Sequence, residues 1–251
     1  MKVKITALFL TVVFMFLGGA FGFAQSKSTK VDPFNKVIIS PHIQVTFQQG
    51  DEERVTIESS TVSDDKLNIE TIGKTLRIYL DGAKEVTKTE TIDENGQEVK
   101  RSIYQGTVTK ATVTYVDLNE LSLRGEEKFV CKSLLTGERF RLNNFGSSRV
   151  YLDEVALGRL QATTYGESNL KLKTGTVDHI KMTAYGQSSI DGLGVQSKTA
   201  RITAYGEAKF RLNVEKELRV SAYGEAVVEY QGNPTVKKGV VIGDATIRKM
   251  E

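Results

Sequence analysis

A unit of thirteen residues returns along the second half of the chain at a nearly constant interval. It reads LQATTYGESNLKL at 160–172, IKMTAYGQSSIDG at 180–192, ARITAYGEAKFRL at 200–212 and LRVSAYGEAVVEY at 218–230. Weaker copies stand at 140–152 (FRLNNFGSSRVYL) and 237–249 (KKGVVIGDATIRK). Their central glycines are Gly146, Gly166, Gly186, Gly206, Gly224 and Gly243. A period of about twenty residues marks a solenoid, in which a single repeat cannot bury its apolar face and the stack buries it jointly.

Inside each copy the apolar period is two. Ala200, Ile202, Ala204, Gly206, Ala208, Phe210 and Leu212 share one parity; Arg201, Thr203, Tyr205, Glu207, Lys209 and Arg211 share the other. Side chains alternate faces along a strand, so the first set points inward and the second outward. The 3.6 period of a helix is absent. The middle of each inward set is small, as in Thr164-Gly166-Ser168 and Ala204-Gly206-Ala208, and bulk lies at the ends. This pattern predicts two strands meeting at a bend whose inner corner excludes large side chains, with glycine permitting the backbone angles. Return segments of about seven residues, such as 173–179, carry turn signals including Thr174-Gly175 and Gly192-Leu193-Gly194. The expected fold is all-β: a parallel β-helix or β-solenoid, with right-handed winding favoured because the hexapeptide signature of left-handed helices is missing.

The chain opens Met1-Lys2-Val3-Lys4, followed by an apolar run from Ile5 to Leu17 and then Gly22-Phe23-Ala24-Gln25. A basic start, an apolar stretch and a small-x-small site predict a signal peptide over 1–24, cleaved after Ala24. The run is short for a membrane span, so no integral membrane protein is expected after cleavage. No cysteine stands at the junction, against a bacterial lipoprotein. The leader holds two of the 34 basic residues and none of the 31 acidic ones, leaving 32 against 31. That balance gives no reason to expect nucleic-acid binding. The single cysteine, Cys131, falls in the inward slot held elsewhere by Leu152, Leu172 and Leu212, which reads as a buried structural thiol.

Residues 25–116 form an N-terminal β region. Alternation at Val37/Ile39, Ile43/Val45/Phe47, Val55/Ile57, Leu67/Ile69 and Leu76/Ile78/Leu80 gives short strands, either a leading sheet or less regular early coils. The Thr-rich runs 86–92 and 99–104 flank Asn95-Gly96, a hairpin turn signal, and predict a polar hairpin over 86–104 projecting from the body. The solenoid repeats run over 117–251, continuous with the N-terminal region as one domain. The first coil is expected to be irregular because Glu127 takes a small inner slot, and the last to be frayed because Lys249 takes an apolar one.

Four stretches carry a family resemblance. Phe34-Asn35-Lys36-Val37 with 43–50 (IQVTFQQG), and 118–125 (LNELSLRG) with 230–234 (YQGNP), resemble the putative autotransporter adhesin family with the head GIN domain. The family's corner is Ser-Gly-Ser-Gly-Asp-like, whereas here it is Thr-Ala-Tyr-Gly-Glu-like. The resemblance implies an exported protein of Bacteroidetes type, in the periplasm or at the cell surface, and brings no catalytic residues. The chain ends at Glu251 with no translocator domain after the repeats, so an autotransporter in the strict sense is not expected.

Three outward ladders follow from the repeat. The first is Phe145, Tyr165, Tyr185, Tyr205, Tyr223 and Ile242; its tyrosines are either solenoid packing or a recognition stripe for a glycan or an envelope protein. The second is Glu126, Glu167, Gln187, Glu207, Glu225 and Asp244, whose repulsion Arg201 and Arg219 are expected to relieve. No calcium-binding repeat accompanies it, and no metal or other cofactor is expected. The third, Lys171, Asp191, Arg211 and Glu229, alternates in sign and fixes register. No hydrolase, P-loop or zinc motif appears; His42 and His179 lie far apart, and Asp191 with Asp178 lacks a supporting set. The reading is therefore a non-catalytic adhesion or interaction module, with Tyr165, Tyr185, Tyr205 and Tyr223 as the contact surface. The alternatives are a periplasmic accessory in envelope-stress signalling and a β-helix polysaccharide-active enzyme.

Overall fold

The alternation of apolar and polar residues resolves into strands that pair coil on coil. The computed structural model describes residues 27–94 and 97–251, so the signal peptide expected over 1–24 and the turn expected at Asn95-Gly96 lie outside the described residues. In chain order the strands are β1 (Lys27–Lys30), β2 (Lys36–Ile39), β3 (Ile43–Gln49), β4 (Arg54–Ser60), β5 (Leu67–Ile72), β6 (Thr75–Leu80), β7 (Thr89–Glu94) and β8 (Gln97–Ser102). They continue as β9 (Thr109–Tyr115), β10 (Glu120–Arg124), β11 (Lys128–Phe145), β12 (Arg149–Tyr165), β13 (Ser168–Tyr185), β14 (Ser188–Gln231) and β15 (Thr235–Lys249).

Each repeat coil contributes a strand to a first face before the glycine corner and a strand to a second face after it. On the first face the parallel order is β6, β2, β10, β11, β12, β13, β14 and β15. On the second, β9 pairs with β3 and β3 with the start of β11, and the stack then runs on through the same long strands. The inward columns are apolar ladders. Phe129, Val150, Leu170 and Ile190 stack in register, as do Cys131, Leu152 and Leu172. All seven are buried. Burial pushes the Cys131 thiol up to about 12, and its Sγ lies 3.6 Å from the Tyr115 hydroxyl.

The return segments differ from expectation. They are not bare turns but a third strand face, in which 154–157 pairs with 174–177. Val155, Leu157, Val177 and Val195 are buried there, so this face closes the core. The turn signal at Gly192 is also a core position. A Cβ on Gly192 would meet Leu212 Cδ2 at 3.1 Å and Leu172 Cδ1 at 3.4 Å, because the leucines of both neighbouring coils fill the gap.

The corner glycines have two physical causes. Gly186 has φ 98° and Gly206 φ 105°, conformations that L side chains rarely adopt. A Cβ on Gly206 would also lie 3.0 Å from the Gly186 carbonyl oxygen of the coil beneath. Small inner-corner residues follow from the same crowding, and their hydroxyls are satisfied: Ser168 Oγ donates to Gly146 O at 2.9 Å, and Thr164 and Ser188 share a 3.0 Å hydrogen bond.

At the N-terminal end, stack order departs from chain order. The coil formed by β2 and β3 lies inside the one formed by β6 and β9, although it comes first in the chain. Antiparallel strands then close the ladder: β5 on β6, and β4 with β1 on β9. These cover the edge that an open parallel stack would expose. The β7–β8 hairpin pairs from Thr89↔Ser102 to Glu94↔Gln97 and replaces the corner of the outermost coil.

Two further expectations change. The first repeat coil carries its irregularity between Cys131 and Leu134, where the register shifts, while Glu127 is accommodated at the corner with both carboxylate oxygens bonded. The last coil is not frayed: β15 pairs with β14 from Thr235 to Lys249 with one register shift between Val220 and Ala222, and Lys249 Nζ donates to Asn233 Oδ1 at 2.6 Å.

Candidate functional site

The corner geometry aims the residue before each glycine outward, and identical spacing stacks these residues. Phe145, Tyr165, Tyr185, Tyr205 and Tyr223 form one ladder with ring centroids 4.7–4.8 Å apart and planes within 8° of parallel. These are offset stacks, each reinforced by the strand spacing beneath it. Tyr165, Tyr185 and Tyr205 are 36–38% exposed. Their faces are turned against one another, so ring edges and hydroxyls meet solvent. The guanidinium of Arg124 lies 5.0 Å from the Phe145 ring and closes that end of the stack. Arg124 is itself held at 2.5 Å by Glu85, from the insertion that carries the hairpin.

Two more rows share this face. Asn143, Thr163, Thr183 and Thr203 align in register beside the aromatic ladder. Beyond them run Arg141, Gln161, Lys181 and Arg201, again in register, with Arg219 and Lys237 continuing the row. Sequence reading left this row unnoticed as a unit. Its signal was present, since Gln161, Lys181, Arg201 and Arg219 each stand four residues before a ladder tyrosine.

Across the corner lies the acidic ladder. Gln187 Nε2 donates to Glu207 Oε2 at 3.1 Å, which eases one step of it. Arg201 and Arg219 do not relieve the rest: they belong to the basic row on the other side of the corner, and neither forms an ion pair with Glu207 or Glu225 among the described residues. Glu167, Gln187, Glu207 and Glu225 with Asn169 and Lys209 line a shallow groove of 710 Å³ along the second face. Among the described residues no cluster of three or more His, Cys, Asp or Glu side chains could hold a metal ion.

The third ladder forms as its alternating signs require. Lys171 lies 3.3 Å from Asp191; Arg211 lies 3.7 Å from Asp191 and 3.6 Å from Glu229. Arg248 on the last coil and Lys209 also reach Glu229, and their hydrogen bonds hold its carboxyl below the usual range.

A cleft of 840 Å³ opens between the hairpin base and the first corners, lined by His42, Tyr104, Arg124, Glu127 and Phe145. His42 is locked there, with Nδ1 2.7 Å from Gly106 O and Nε2 2.7 Å from Thr87 Oγ1. The acid and histidine candidates are not brought together. Asp191 serves its ion-pair row, Asp178 pairs with Lys198 at 2.7 Å, and His179 bonds Thr199 at 2.9 Å.

Fold and face together define a parallel β-solenoid of about six coils, with outward residues arrayed in continuous rows. Over residues 33–234 the chain matches, and it belongs to, the family described as "Putative auto-transporter adhesin, head GIN domain". Solved structures with the same fold include a "putative adhesin" from Bacteroides fragilis, 19% identical, with a TM-score of 0.75 over 90% of this chain and 96% of that one. A "putative lipid binding protein" from Parabacteroides distasonis is 17% identical, with a TM-score of 0.65 over 90% and 96%. A "putative adhesin" from Parabacteroides merdae is 18% identical, with a TM-score of 0.62 over 90% and 95%. No curated protein sequence matches the chain. Among the described residues no helix is long and apolar enough to cross a membrane.

Proposed function

We propose that the protein is a non-catalytic adhesion-type module, exported to the periplasm or cell surface, that recognises an envelope glycan or protein through its first face. Tyr165, Tyr185, Tyr205 and Tyr223 form the centre of that surface. The observation that carries this reading is a rigid aromatic ladder whose hydroxyls and edges remain in solvent, on a fold assigned to an adhesin family. Rigid tyrosines suit recognition because they give contact area at small entropic cost. Stacking occupies the ring faces, so contact through hydroxyls and edges fits better than sugar rings laid on open aromatic faces. The leader expected over 1–24 from its basic start, apolar run and small-x-small site supports export. The neighbour described as lipid binding makes anionic and neutral vesicles a necessary control.

The test separates recognition from packing. Tyr185→Phe with Tyr205→Phe keeps the stack and removes two hydroxyls; Tyr185→Ala with Tyr205→Ala removes the rings. Binding to envelope extracts and a glycan array is measured beside thermal unfolding. Saturable binding that falls at least about tenfold in the folded Phe variant supports the reading. Binding unchanged in both variants, or found in no sample, leaves the ladder as solenoid packing.

A further inference from the structure

The outward rows differ in how their charges are settled. In the Lys171–Asp191–Arg211–Glu229 row every cation has a carboxylate on the adjoining coil. In the row on the first face the signs repeat. Lys181 and Arg201 are direct register partners, as are Arg219 and Lys237, and the Tyr205–Tyr223 stack brings Arg219 level with Arg201. Lys181, Arg201 and Arg219 are exposed, and among the described residues none of them has an ion pair. Arg139 and Arg159, mutual register partners in the column beside them, are likewise exposed and without an ion pair, and His179 follows in that column. Two neighbouring carboxylates are engaged at the two ends: Glu120 is held by Lys36 at 3.0 Å and Arg141 at 3.5 Å, and Glu217 by Lys237 at 2.7 Å, with Arg219 and Arg201 acting on Glu217 only through longer-range attraction.

Like charges one strand apart repel, and Glu217 offsets this only at the Arg201–Arg219 end of the row. A ligand supplying negative charge along the same line would relieve it. We propose that the Lys181–Arg201–Arg219 row, widened by Arg139 and Arg159, binds a linear acidic polysaccharide lying along the solenoid axis. The proposal rests on the reading of this face as a recognition surface and adds the class of ligand.

Three observations favour a polysaccharide chain. The cations form a line with the coil step of about 4.8 Å, comparable to the length of one sugar unit in an extended chain. The half-buried row of Thr163, Thr183, Thr203 and Ser221 runs alongside, offering hydroxyls to sugar oxygens. The exposed apolar side chains of the last coil, Val240, Val241 and Ile242, sit at one end of the stack and do not run along the Lys181–Arg201–Arg219 row, unlike a helix face that inserts into lipid along its length. The acidic ladder across the corner repels the same ligand from the second face, which fixes where the chain lies.

The test is direct binding of polygalacturonate to the purified chain. Its neutral methyl ester and phosphatidylglycerol vesicles are the comparison probes. Variants are Lys181→Ala/Arg201→Ala/Arg219→Ala, Arg201→Lys alone, and Tyr185→Phe/Tyr205→Phe. The expected result is saturable polygalacturonate binding that weakens as salt rises, falls at least about tenfold in the triple variant and is kept by Arg201→Lys. The ester should not bind, and the triple variant should stay folded with an unfolding temperature close to wild type, because the repulsion removed within the row is offset by the lost attraction of Arg201 and Arg219 to Glu217. No binding by the folded wild type, equal binding in the triple variant, or equal binding to vesicles overturns the proposal. Tyr-dependent binding to envelope extract without polygalacturonate binding would remove this inference and leave the recognition face standing. Loss of both would remove both.

Discussion

Glu127 Oε1 accepts the backbone N–H of His42 at 3.1 Å, tying the corner of one coil to the corner of the next. Oε2 accepts the Glu126 N–H at 2.9 Å. His42 has φ 71°, the left-handed region, and this carboxylate helps hold it there.

Burial is the largest influence on Glu127 and raises its pKa, outweighing the hydrogen bonds and the nearby His42, which lower it. The native state therefore binds this proton more tightly than the unfolded chain does. Its contribution to stability is complete below the ordinary carboxylate range and is lost as pH rises through the raised native value. Glu127→Gln should flatten the fall in stability over that window, while its NH2 replaces one accepting oxygen and leaves one N–H without a partner, at a cost of about 1–2 kcal/mol. Glu127→Ala leaves two N–H groups without a partner and should cost about 2–3 kcal/mol. Urea unfolding across the pH range measures both; an identical slope for wild type and Glu127→Gln would refute the assignment.

At the corner column, Gly186→Ala should cost at least about 2 kcal/mol. The backbone sits at φ 98°, and the new Cβ would press on Gly166 O at 3.1 Å. Gly73 supplies the contrast, with φ 59° and nothing within 4 Å of a Cβ. Gly73→Asn should be nearly neutral, because Asn tolerates the left-handed region. Denaturant midpoints that rank the two the other way would disprove the close-approach account.

Asp191→Lys converts the alternating row into three consecutive cations, Lys171, Lys at 191 and Arg211. The expected loss is about 1 kcal/mol at low salt, shrinking as ionic strength screens the repulsion. Thermal unfolding at two salt concentrations checks it, and a loss that does not change with salt would point to packing instead.

The repeat made the coils, the inward and outward sets and the corner glycines legible, because a period of two and a period of about twenty are properties of the sequence alone. The charge pairing of Lys171, Asp191, Arg211 and Glu229 was legible for the same reason. The return strands were not. Their apolar residues, such as Val155 and Leu157, are too few per coil to show alternation, and become a face only when stacked.

Sequence by itself thus determined the solenoid, the tyrosine ladder and the near neutrality of the chain. Tertiary structure decided that β2 and β3 lie inside the coil of β6 and β9, and that antiparallel strands cover the end. It also decided where the charge goes. A net charge of only +3 conceals a row of cations on one side of the corner and carboxylates on the other, because a sum over residues carries no position. Stacking at the strand spacing turns a residue met once per repeat into a continuous line. That line, and not the balance of the whole chain, is what a ligand would meet.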